Sequence, residues 1–219
     1  MFTITIDGPS ASGKSTVAEI VAKELNMHHL NSGEFYRAIT LYFIRKNISF
    51  EDAKQISKEL KNVNVTIKYI DNTQHCYLNG EDVTTLLHTN EINGLVSKFG
   101  HNLDVVEKCS HFTLLATQTE NLVIDGRNVG SYVVPDADCK IYLDCNVKVR
   151  AQRRYEEALS KGSKTTFEEI LKQTKERDRL DKTRSIAPLV VPKGAYKVNS
   201  NEKTPEEVAL EIVKIVQRL

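Results

Sequence analysis

The first sixteen residues place an apolar strand, a loop with two glycines and the start of a helix in immediate succession. Phe2, Ile4 and Ile6 alternate along a segment rich in β-branched residues, which predicts a buried strand. The following residues, Gly8-Pro9-Ser10-Ala11-Ser12-Gly13-Lys14-Ser15-Thr16, have the pattern G-x-x-x-x-G-K-S. Glycines at these points let successive N–H groups turn inward, and the helix predicted from Thr16 to Leu25 adds its N-terminal dipole. The sequence therefore predicts that residues 8–16 form a phosphate-binding loop (P-loop).

Two side chains of this loop have the chemistry that a nucleotide triphosphate requires. Lys14 carries a positive charge for the β- and γ-phosphates, and the Ser15 hydroxyl is a ligand for Mg²⁺. The structural alternative is a glycine-containing turn before an ordinary helix. We prefer the phosphate-binding interpretation because the strand and the helix both stand where the motif needs them.

Composition excludes several classes of protein. The chain has 219 residues, a net charge of +1 and 27% charged residues, which indicates one sizeable globular domain and argues against a general nucleic-acid binder. No apolar run is long enough to span a bilayer, and no leader sequence is expected. The four cysteines (Cys76, Cys109, Cys139 and Cys145) form no C-x-x-C pair, so we expect reduced thiols and a cytoplasmic protein.

Helical and strand patterns alternate along most of the chain. Strands are predicted at 1–7, 27–30, 122–125, 139–145 and 195–199, and helices at 34–45, 49–61, 90–118 with a break near Gly100, 147–159, 167–182 and 205–219. Ser32, Thr166 and Thr204 are predicted N-caps. The alternation predicts an α/β fold with a doubly wound parallel sheet flanked by helices. A hairpin at 63–80 interrupts the alternation and is predicted to be a small insertion.

The carboxyl ends of parallel strands meet at one edge of the sheet, where ligands bind. Those ends carry residues 8–15, 31–33, 125–127 and Asp144, which we therefore expect to lie close together. Asp125 ends an apolar strand and is predicted to hold Mg²⁺ through a water molecule. His28 and His29 are neighbours on a strand and point to opposite faces, so we do not interpret them as a metal-binding pair.

Basic residues are concentrated near the C-terminal end. Residues 148–184 contain 12 lysines and arginines against 7 acidic residues. Arg177, Asp181 and Arg184 continue one stripe of a helix, while Arg150, Arg153 and Arg154 form a second cluster on the preceding helix. The polar loop 160–165 joins the two helices. This arrangement predicts a lid that closes over polyphosphate, whereas salt bridges to Glu156, Glu157 and Asp178 are the structural alternative.

Several segments resemble the bacterial cytidylate kinases of the nucleoside monophosphate kinase group, nearly from end to end. They are IDGPSASGKST (6–16), LNSGEFYR (30–37), DGRNVGSYVVPDADCKIYL (125–143), QRRYEEALSKG (152–162) and KERDRLDKTRSIAPL (175–189). The resemblance implies a single P-loop kinase domain over residues 1–219. Its core would comprise 1–35, 120–150 and 185–219, with an acceptor-binding insertion at about 36–105 and a lid at about 150–168.

The resemblance also implies roles for individual residues. The phosphoryl-transfer residues would be Lys14, Arg127, Arg153, Arg177 and Arg184. ATP would be held by residues 8–16 and by Arg154. The acceptor would be held by Ser32, Arg37, Ser97, Arg127, Asn128, Arg177, Asp181 and Arg184. Ser15 and, through water, Asp125 would hold Mg²⁺.

Four positions depart from the family pattern. Asn31 and Glu34 stand where an aspartate and a small residue are usual, and Asn128 replaces the aspartate of a D-G-R-D motif. The arginine expected in the base pocket, counted from Ser97, falls on Val106. Valine cannot donate a hydrogen bond to a base, so base selectivity is the part of the prediction that these departures affect most.

The expected activity is transfer of the ATP γ-phosphoryl group to CMP or dCMP, with ATP and Mg²⁺ as cofactors. The expected partners are small nucleotides, without nucleic acid or membrane, and the expected state is a monomer. One alternative is a monophosphate kinase with relaxed or altered base selectivity, for UMP or another acceptor. The other alternative is a nucleotide-binding regulator of the GTPase type. The chain lacks the base-reading N-K-x-D motif of such proteins, which argues against this alternative.

Overall fold

The computed structural model describes residues 1–160 and 162–219, which form eight strands and eight α-helices. In chain order they are β1 (Thr3–Asp7), α1 (Lys14–Glu24), β2 (His28–Asn31), α2 (Gly33–Arg45), α3 (Ala53–Glu59), β3 (Val65–Ile70), β4 (Thr73–Leu78), β5 (Glu81–Asp82), α4 (Asn90–Phe99), α5 (Leu103–Thr117), β6 (Leu122–Gly126), β7 (Cys139–Asp144), α6 (Val147–Ser160), α7 (Phe167–Thr183), β8 (Tyr196–Asn199) and α8 (Pro205–Val216). Short 3₁₀ turns occupy Leu60–Asn62 and Thr84–Leu86, and a π-helical turn occupies Val129–Val133.

Five strands form the central sheet in the order β2-β6-β1-β7-β8, and every neighbouring pair is parallel. All five residues of β1 are buried, as expected for a strand with a partner on each side and helices on both faces. Parallel neighbours need crossover connections, which α1, α2–α5, α6–α7 and the loops between them provide. The predicted parallel sheet is confirmed, and its carboxyl ends lie at one edge.

Each face of the sheet has its own apolar core. One core packs α1 and α8 against the sheet through residues such as Val21, Ile141 and Ile212. The other joins the sheet to α2, α5 and the small β-sheet through residues such as Leu30, Phe35 and Phe112. Residues of α2, α5 and the small β-sheet therefore share one apolar core with the central sheet.

The predicted hairpin is present. Strands β3 and β4 pair antiparallel around a turn at Asp71 and Asn72, and the short β5 adds a third strand. Gln74 of β4 accepts a hydrogen bond from the N–H of Asn31 at 2.7 Å. This contact ties the insertion to the end of β2, beside the P-loop.

Helix ends differ from prediction in some places. Thr166 and Thr204 both form capping boxes, with Glu169 and Glu207 respectively, as predicted. Ser32 does not cap α2; its hydroxyl donates to the carbonyl of Asp125 at 2.8 Å instead. The reason is that β2 and β6 are neighbours, which brings the Asp125 carbonyl within reach and joins two strand ends. The predicted helix at 49–61 is shorter, as α3 followed by the 3₁₀ turn.

The described residues include no helix with both the length and the apolar character that a membrane crossing requires. Lys161 belongs to the predicted lid and to its basic loop, and it lies outside the described residues.

Candidate functional site

A cleft of about 520 Å³ opens at the carboxyl edge of the sheet, where β1, β2 and β6 end. Most of the predicted site residues line it: Ser10, Ala11, Lys14, Ser15, Ser32, Arg37, Ser97, Asp125, Arg127, Asn128, Arg154, Arg177, Asp181 and Arg184. The structure therefore brings together side chains that are more than 170 positions apart in sequence. Gly8, Pro9, Ser12, Gly13, Thr16 and Arg153 are not part of the lining.

The P-loop backbone explains why both glycines are needed. A β-carbon on Gly8 would lie 2.4 Å from the carbonyl oxygen of Leu143, so the loop can pass over β7 only without a side chain there. Gly13 has φ +92°, which favours glycine, and it stands at the N-cap of α1. Within the described part of the chain, no side chain caps this helix. Its first N–H groups are therefore available to an anion.

Lys14 is buried beneath the loop. Its ammonium group donates to the carbonyl of Pro9 at 2.7 Å and lies 3.4 Å from the Ser12 hydroxyl. Burial, and then the positive charge of Arg127, lower the pKa of Lys14 to about 7, against the opposing effect of the nearby carboxylates of Asp125, Asp7 and Asp181. A polyphosphate at this point would add the negative charge that favours the protonated lysine.

Ser15 and Asp125 are adjacent, as the Mg²⁺ prediction requires. The Ser15 hydroxyl donates to one carboxylate oxygen of Asp125 at 2.9 Å. The other oxygen lies 2.7 Å from Nε2 of His29. His28 points elsewhere and stacks on Tyr69, with ring centroids 4.1 Å apart. A hydroxyl beside a carboxylate with fixed orientation is the kind of oxygen donor set that Mg²⁺ prefers.

The contact of His29 with Asp125 was not predicted. In the parallel register His29 is opposite Val123, so its side chain shares a face with Asp125, two residues further along β6. This relation could be found from the sequence only with the strand order known, because the two residues are 96 positions apart.

Buried polar atoms without a hydrogen-bond partner are concentrated among the residues that line the cleft. Within the described residues, eight such side-chain atoms occur, and five belong to residues that line the cleft. They are Nη1 of Arg127, Nδ2 of Asn128, Nε of Arg177, Oδ2 of Asp181 and Nη2 of Arg184. Unpaired buried polar groups are costly, and they are therefore rare outside functional sites. Four of these five atoms are donors, which is the complement of an anionic ligand.

Several arginines lie close together in this part of the cleft, with the Asp181 carboxylate among them. Arg127 lies 3.2 Å from the Asp181 carboxylate without the alignment of a hydrogen bond. The positive charge of Arg127, followed by burial, lowers the pKa of Arg177 to about 10. Burial also lowers the pKa of Arg184 and of Arg37. All three stay protonated at neutral pH, so the cleft contains an excess of positive charge that a phosphate would neutralise.

Arg37 has partners in the insertion. Its guanidinium donates to the Leu87 carbonyl at 3.0 Å and to the Asn93 side chain at 2.7 Å. It lines the cleft but already connects α2 with α4. Its predicted contact with the acceptor phosphate stays a prediction.

Two of the three clustered arginines of α6 bind groups of the protein itself. Arg150 is buried and forms a bidentate ion pair with Asp178 of α7, and it also donates to the Ser10 carbonyl at 3.1 Å. Arg153 donates to the carbonyls of Ser12 and Ser200, at 3.3 and 2.7 Å. Both therefore fix α6 to the P-loop. The predicted catalytic contact of Arg153 with the phosphoryl group is not tested, and its observed partners are backbone carbonyls.

Arg154, by contrast, faces the cleft. Its guanidinium lies 3.4 Å from the Thr174 hydroxyl, and burial lowers its pKa. The salt bridge of Arg150 joins two helices, whereas the structural alternative was salt bridging within a helix. Arg154, Arg177 and Arg184 line the cleft.

Val106, the position at which the family pattern has an arginine, has a completely buried side chain. It lies on α5 and is not among the residues that line the cleft. Whether this position belongs to the base pocket stays a prediction. His101, which follows α4, lines the cleft beside Ser97 and Asn128.

Asp7 is a second residue whose role was not predicted. It is completely buried, and its carboxylate oxygens accept from the N–H groups of Val129 and Gly130, both at 2.8 Å. Burial raises its pKa to about 6, although those two N–H groups and the charge of Lys14 lower it. Asp7 thereby holds the π-helical turn that directly follows Arg127 and Asn128.

Replacing Asp7 with alanine is expected to lower the free energy of unfolding by about 2 kcal/mol, because two buried N–H groups lose their partner. Urea unfolding of the D7A variant measures this change. Asp136→Ala, an exposed site on the same connection, is the matched control and should change stability by less than about 0.5 kcal/mol. Equal effects of the two substitutions would contradict the assigned role.

Comparisons with known proteins agree with this geometry. The sequence profile described as cytidylate kinase matches residues 4–218. The cytidylate kinase of Fusobacterium nucleatum is 38% identical over 99% of this chain and 97% of its own length. The cytidylate kinase of Carboxydothermus hydrogenoformans is 37% identical over 98% of this chain and 97% of its own length.

A solved structure shows the same fold. The shikimate kinase from Bacteroides thetaiotaomicron matches with a TM-score of 0.52, covering 99% of this chain and 98% of that chain. Its sequence identity is 11%, so this similarity indicates the shared fold alone. The chain belongs to the cytidylate kinase family.

Proposed function

We propose that this protein transfers the γ-phosphoryl group of ATP to the phosphate of CMP or dCMP. The observation that carries the proposal is the set of unpaired buried donors of Arg127, Arg177 and Arg184, which share one cleft with Lys14 of the P-loop. A site for one phosphate chain beside a site for a second phosphate is what phosphoryl transfer between nucleotides requires.

ATP is the proposed donor at the P-loop. The open N–H groups at the start of α1 and the Lys14 ammonium group bind its β- and γ-phosphates. Arg150 and Arg153 hold the loop carbonyls of Ser10 and Ser12, which keeps the N–H groups turned inward. Arg154 faces the same cleft and is proposed to contact the donor phosphates.

Mg²⁺ is proposed to bind at Ser15 and, through a water molecule, at Asp125. The residues fit the ion, because a hydroxyl and a carboxylate lie within 2.9 Å of each other and His29 fixes the second carboxylate oxygen. When bound, Mg²⁺ neutralises charge on the phosphate oxygens. The chain itself provides the orientation of the carboxylate.

The acceptor phosphate is proposed to lie against Arg127, Arg177 and Arg184. One of its oxygens attacks the γ-phosphorus, a new P–O bond forms, and the bond to the β,γ-bridging oxygen breaks. Such a phosphate is already largely ionised at neutral pH, since its second pKa is about 6, so no strong general base is needed. The arginines align the two phosphates and stabilise the charge on the transferring group.

The lid is proposed to comprise about residues 150–168, as the resemblance implies. Arg150 and Arg153 attach its start to the P-loop. We propose that the lid closes over the bound nucleotides from this attached end. Closure would exclude water and so prevent hydrolysis of ATP.

The family membership favours CMP and does not favour the alternatives of another base or of a regulatory protein. An acceptor panel of CMP, dCMP, UMP, AMP and GMP, with ATP and Mg²⁺, tests the assignment. We expect the highest kcat/KM with CMP or dCMP. A strong preference for AMP or GMP would contradict it.

ATP binding is expected to take up a proton at about pH 8, because Lys14 must become charged. The pKa of Lys14 is lowered to about 7 in the free protein, so the lysine is mostly neutral at that pH and protonated in the complex. Affinity for ATP should therefore fall as pH rises above about 7, by up to about tenfold per unit.

Isothermal titration in two buffers of different ionisation enthalpy measures this uptake. The Lys14→Met variant should bind ATP more weakly and with no uptake attributable to this residue. Identical uptake in parent and variant would show that another group titrates.

We also propose that the protein acts as a monomer in the cytoplasm with small nucleotides as its only substrates. The four cysteines are free and buried, as is usual in a reducing compartment. Light scattering should give a mass near 24.7 kDa. A mass of twice this value would contradict the proposed monomer.

A further inference from the structure

We infer that Asp178 is a positioning residue for phosphoryl transfer, which holds Arg177 in place relative to the P-loop without contacting either nucleotide. This inference rests on the proposed function and adds a residue to it. Asp178 directly follows Arg177 on α7. Arg177 lines the cleft, whereas Asp178 is not among the lining residues. Any effect of Asp178 on the reaction must therefore pass through other residues.

A bidentate ion pair attaches Asp178 to α6. One carboxylate oxygen accepts from Nη1 of Arg150 at 3.0 Å, and the other accepts from Nη2. The two side chains are 14% and 4% exposed, so little water competes for this pair. Ile170 and Thr174, which precede Asp178 by eight and four residues, are buried, and Thr174 accepts from Arg154 of α6. Asp178 thus continues the face of α7 that packs on α6, and the two parallel hydrogen bonds fix its orientation.

The remaining donors of Arg150 connect this pair to the donor site. Nη1 also donates to the carbonyl of Ser10 in the P-loop at 3.1 Å, and Nε donates to the carbonyl of Cys145, just after β7, at 3.0 Å. One buried guanidinium therefore contacts the P-loop, the end of a central strand and Asp178 of α7. Through it, α7 has a defined position relative to the loop that is proposed to hold ATP.

Arg177 is the residue that this attachment affects most. Successive helical residues are about 100° apart, so Asp178 can face α6 while its neighbour Arg177 faces the cleft. Nε of Arg177 has no hydrogen-bond partner among the described residues. The position of its guanidinium therefore depends on where the backbone of α7 lies. A displacement of about 1 Å in a group that aligns the reacting phosphates can lower the rate by about a hundredfold.

The test is a double-mutant cycle of Asp178→Asn with Arg177→Ala. Asparagine keeps the size of the side chain but removes the charge that binds Arg150. We expect D178N to lower kcat at least about tenfold in the parent, and to change kcat of R177A by less than about twofold. A merely structural role would lower kcat by the same factor in both. The KM for ATP should stay within about threefold, because Arg153 still holds the Ser12 carbonyl.

Glu176→Gln is the matched control, because it removes an exposed acid of α7 that pairs with Arg179, and it should leave kcat within about twofold. Asp178→Glu keeps the buried Arg150 paired, so the same cycle with D178E decides the question if D178N does not fold.

Loss of kcat in the parent background but not in R177A supports the inference. Equal factors in the two backgrounds, an equal loss in E176Q, or a higher KM for ATP with unchanged kcat would overturn it. A parent enzyme that does not phosphorylate CMP would instead overturn the proposed function, and the inference with it. That result is separate from a failure of Asp178 alone, because it is seen before any variant is made.

Discussion

Replacing Lys14 with alanine lowers kcat at least about a hundredfold if the P-loop lysine stabilises the transferring phosphoryl group. The ammonium group lies under the loop, where it donates to the Pro9 carbonyl, and it is proposed to bind the phosphates of ATP. Its charge matters more in the transition state, as negative charge shifts to the bridging oxygen, than in the free enzyme. The measurement is steady-state kcat at saturating CMP and Mg²⁺-ATP.

The control for this prediction is Lys23→Ala, an exposed lysine on the same helix. It should leave kcat within about twofold, since surface charges far from the site are weakly coupled to it. K14A should also unfold at no lower temperature than the parent, because a buried ammonium group is costly. Near-normal turnover by a folded K14A protein would contradict the donor-site assignment.

Arg177→Ala is expected to reduce kcat by at least about a hundredfold as well, because the arginine lines the cleft from α7 and is proposed to bind the acceptor phosphate. Its Nε atom has no hydrogen-bond partner among the described residues, and the neighbouring charge of Arg127 lowers its pKa. Removing it relieves repulsion between arginines in the free enzyme. The free energy of unfolding should therefore stay equal or increase while activity is lost.

Comparing Arg179→Ala with Arg177→Ala distinguishes the loss of any positive charge on α7 from the loss of the charge that lies in the cleft. Arg179 lies two residues further along α7, is exposed and pairs with Glu176 at 2.7 and 2.9 Å. Both variants remove one positive charge from the same helix, yet only R177A should lose activity. Comparable losses in R177A and R179A would indicate a general electrostatic effect and would remove the basis for the arginine clamp.

Much of the fold follows from local patterns in the sequence. The strand, loop and helix of residues 1–25 are specified by alternation, glycine and the lysine that follows, and all three occur where predicted. The convergence of the P-loop with Asp125 follows from a general property of parallel sheets, that their strand ends meet at one edge. Threonine caps at 166 and 204 depend only on residues three positions away, so they too could be predicted.

The residues that were missed depend on contacts between distant segments. His29 meets Asp125 only because β2 and β6 are neighbours, and Asp7 meets the turn after Asn128 only because β1 and β6 are. Neither order is visible in a single sequence. The predicted break near Gly100 is confirmed, since α4 ends at Phe99 and α5 starts at Leu103, but the burial of Val106 depends on how α5 packs and could not be predicted locally.

The spacing of the arginines predicted which part of the chain contacts the cleft, but not which arginines line it and which bind the P-loop backbone. Arg150, Arg153 and Arg154 lie on nearly one face of α6, yet the first two contact P-loop carbonyls and the third faces the cleft. The difference depends on how α6 crosses the loop. Through Arg150 and Arg153, the start of α6 is attached directly to the P-loop.

The central claim is that this cleft transfers a phosphoryl group between two nucleotides instead of to water. Phosphorus NMR of the protein with ATP, Mg²⁺ and CMP tests it most directly, since it identifies the product. The account predicts that ADP and CDP appear together in equal amounts, and that omission of CMP leaves ATP nearly unchanged. Formation of inorganic phosphate at a rate independent of CMP, with no CDP signal, would contradict it.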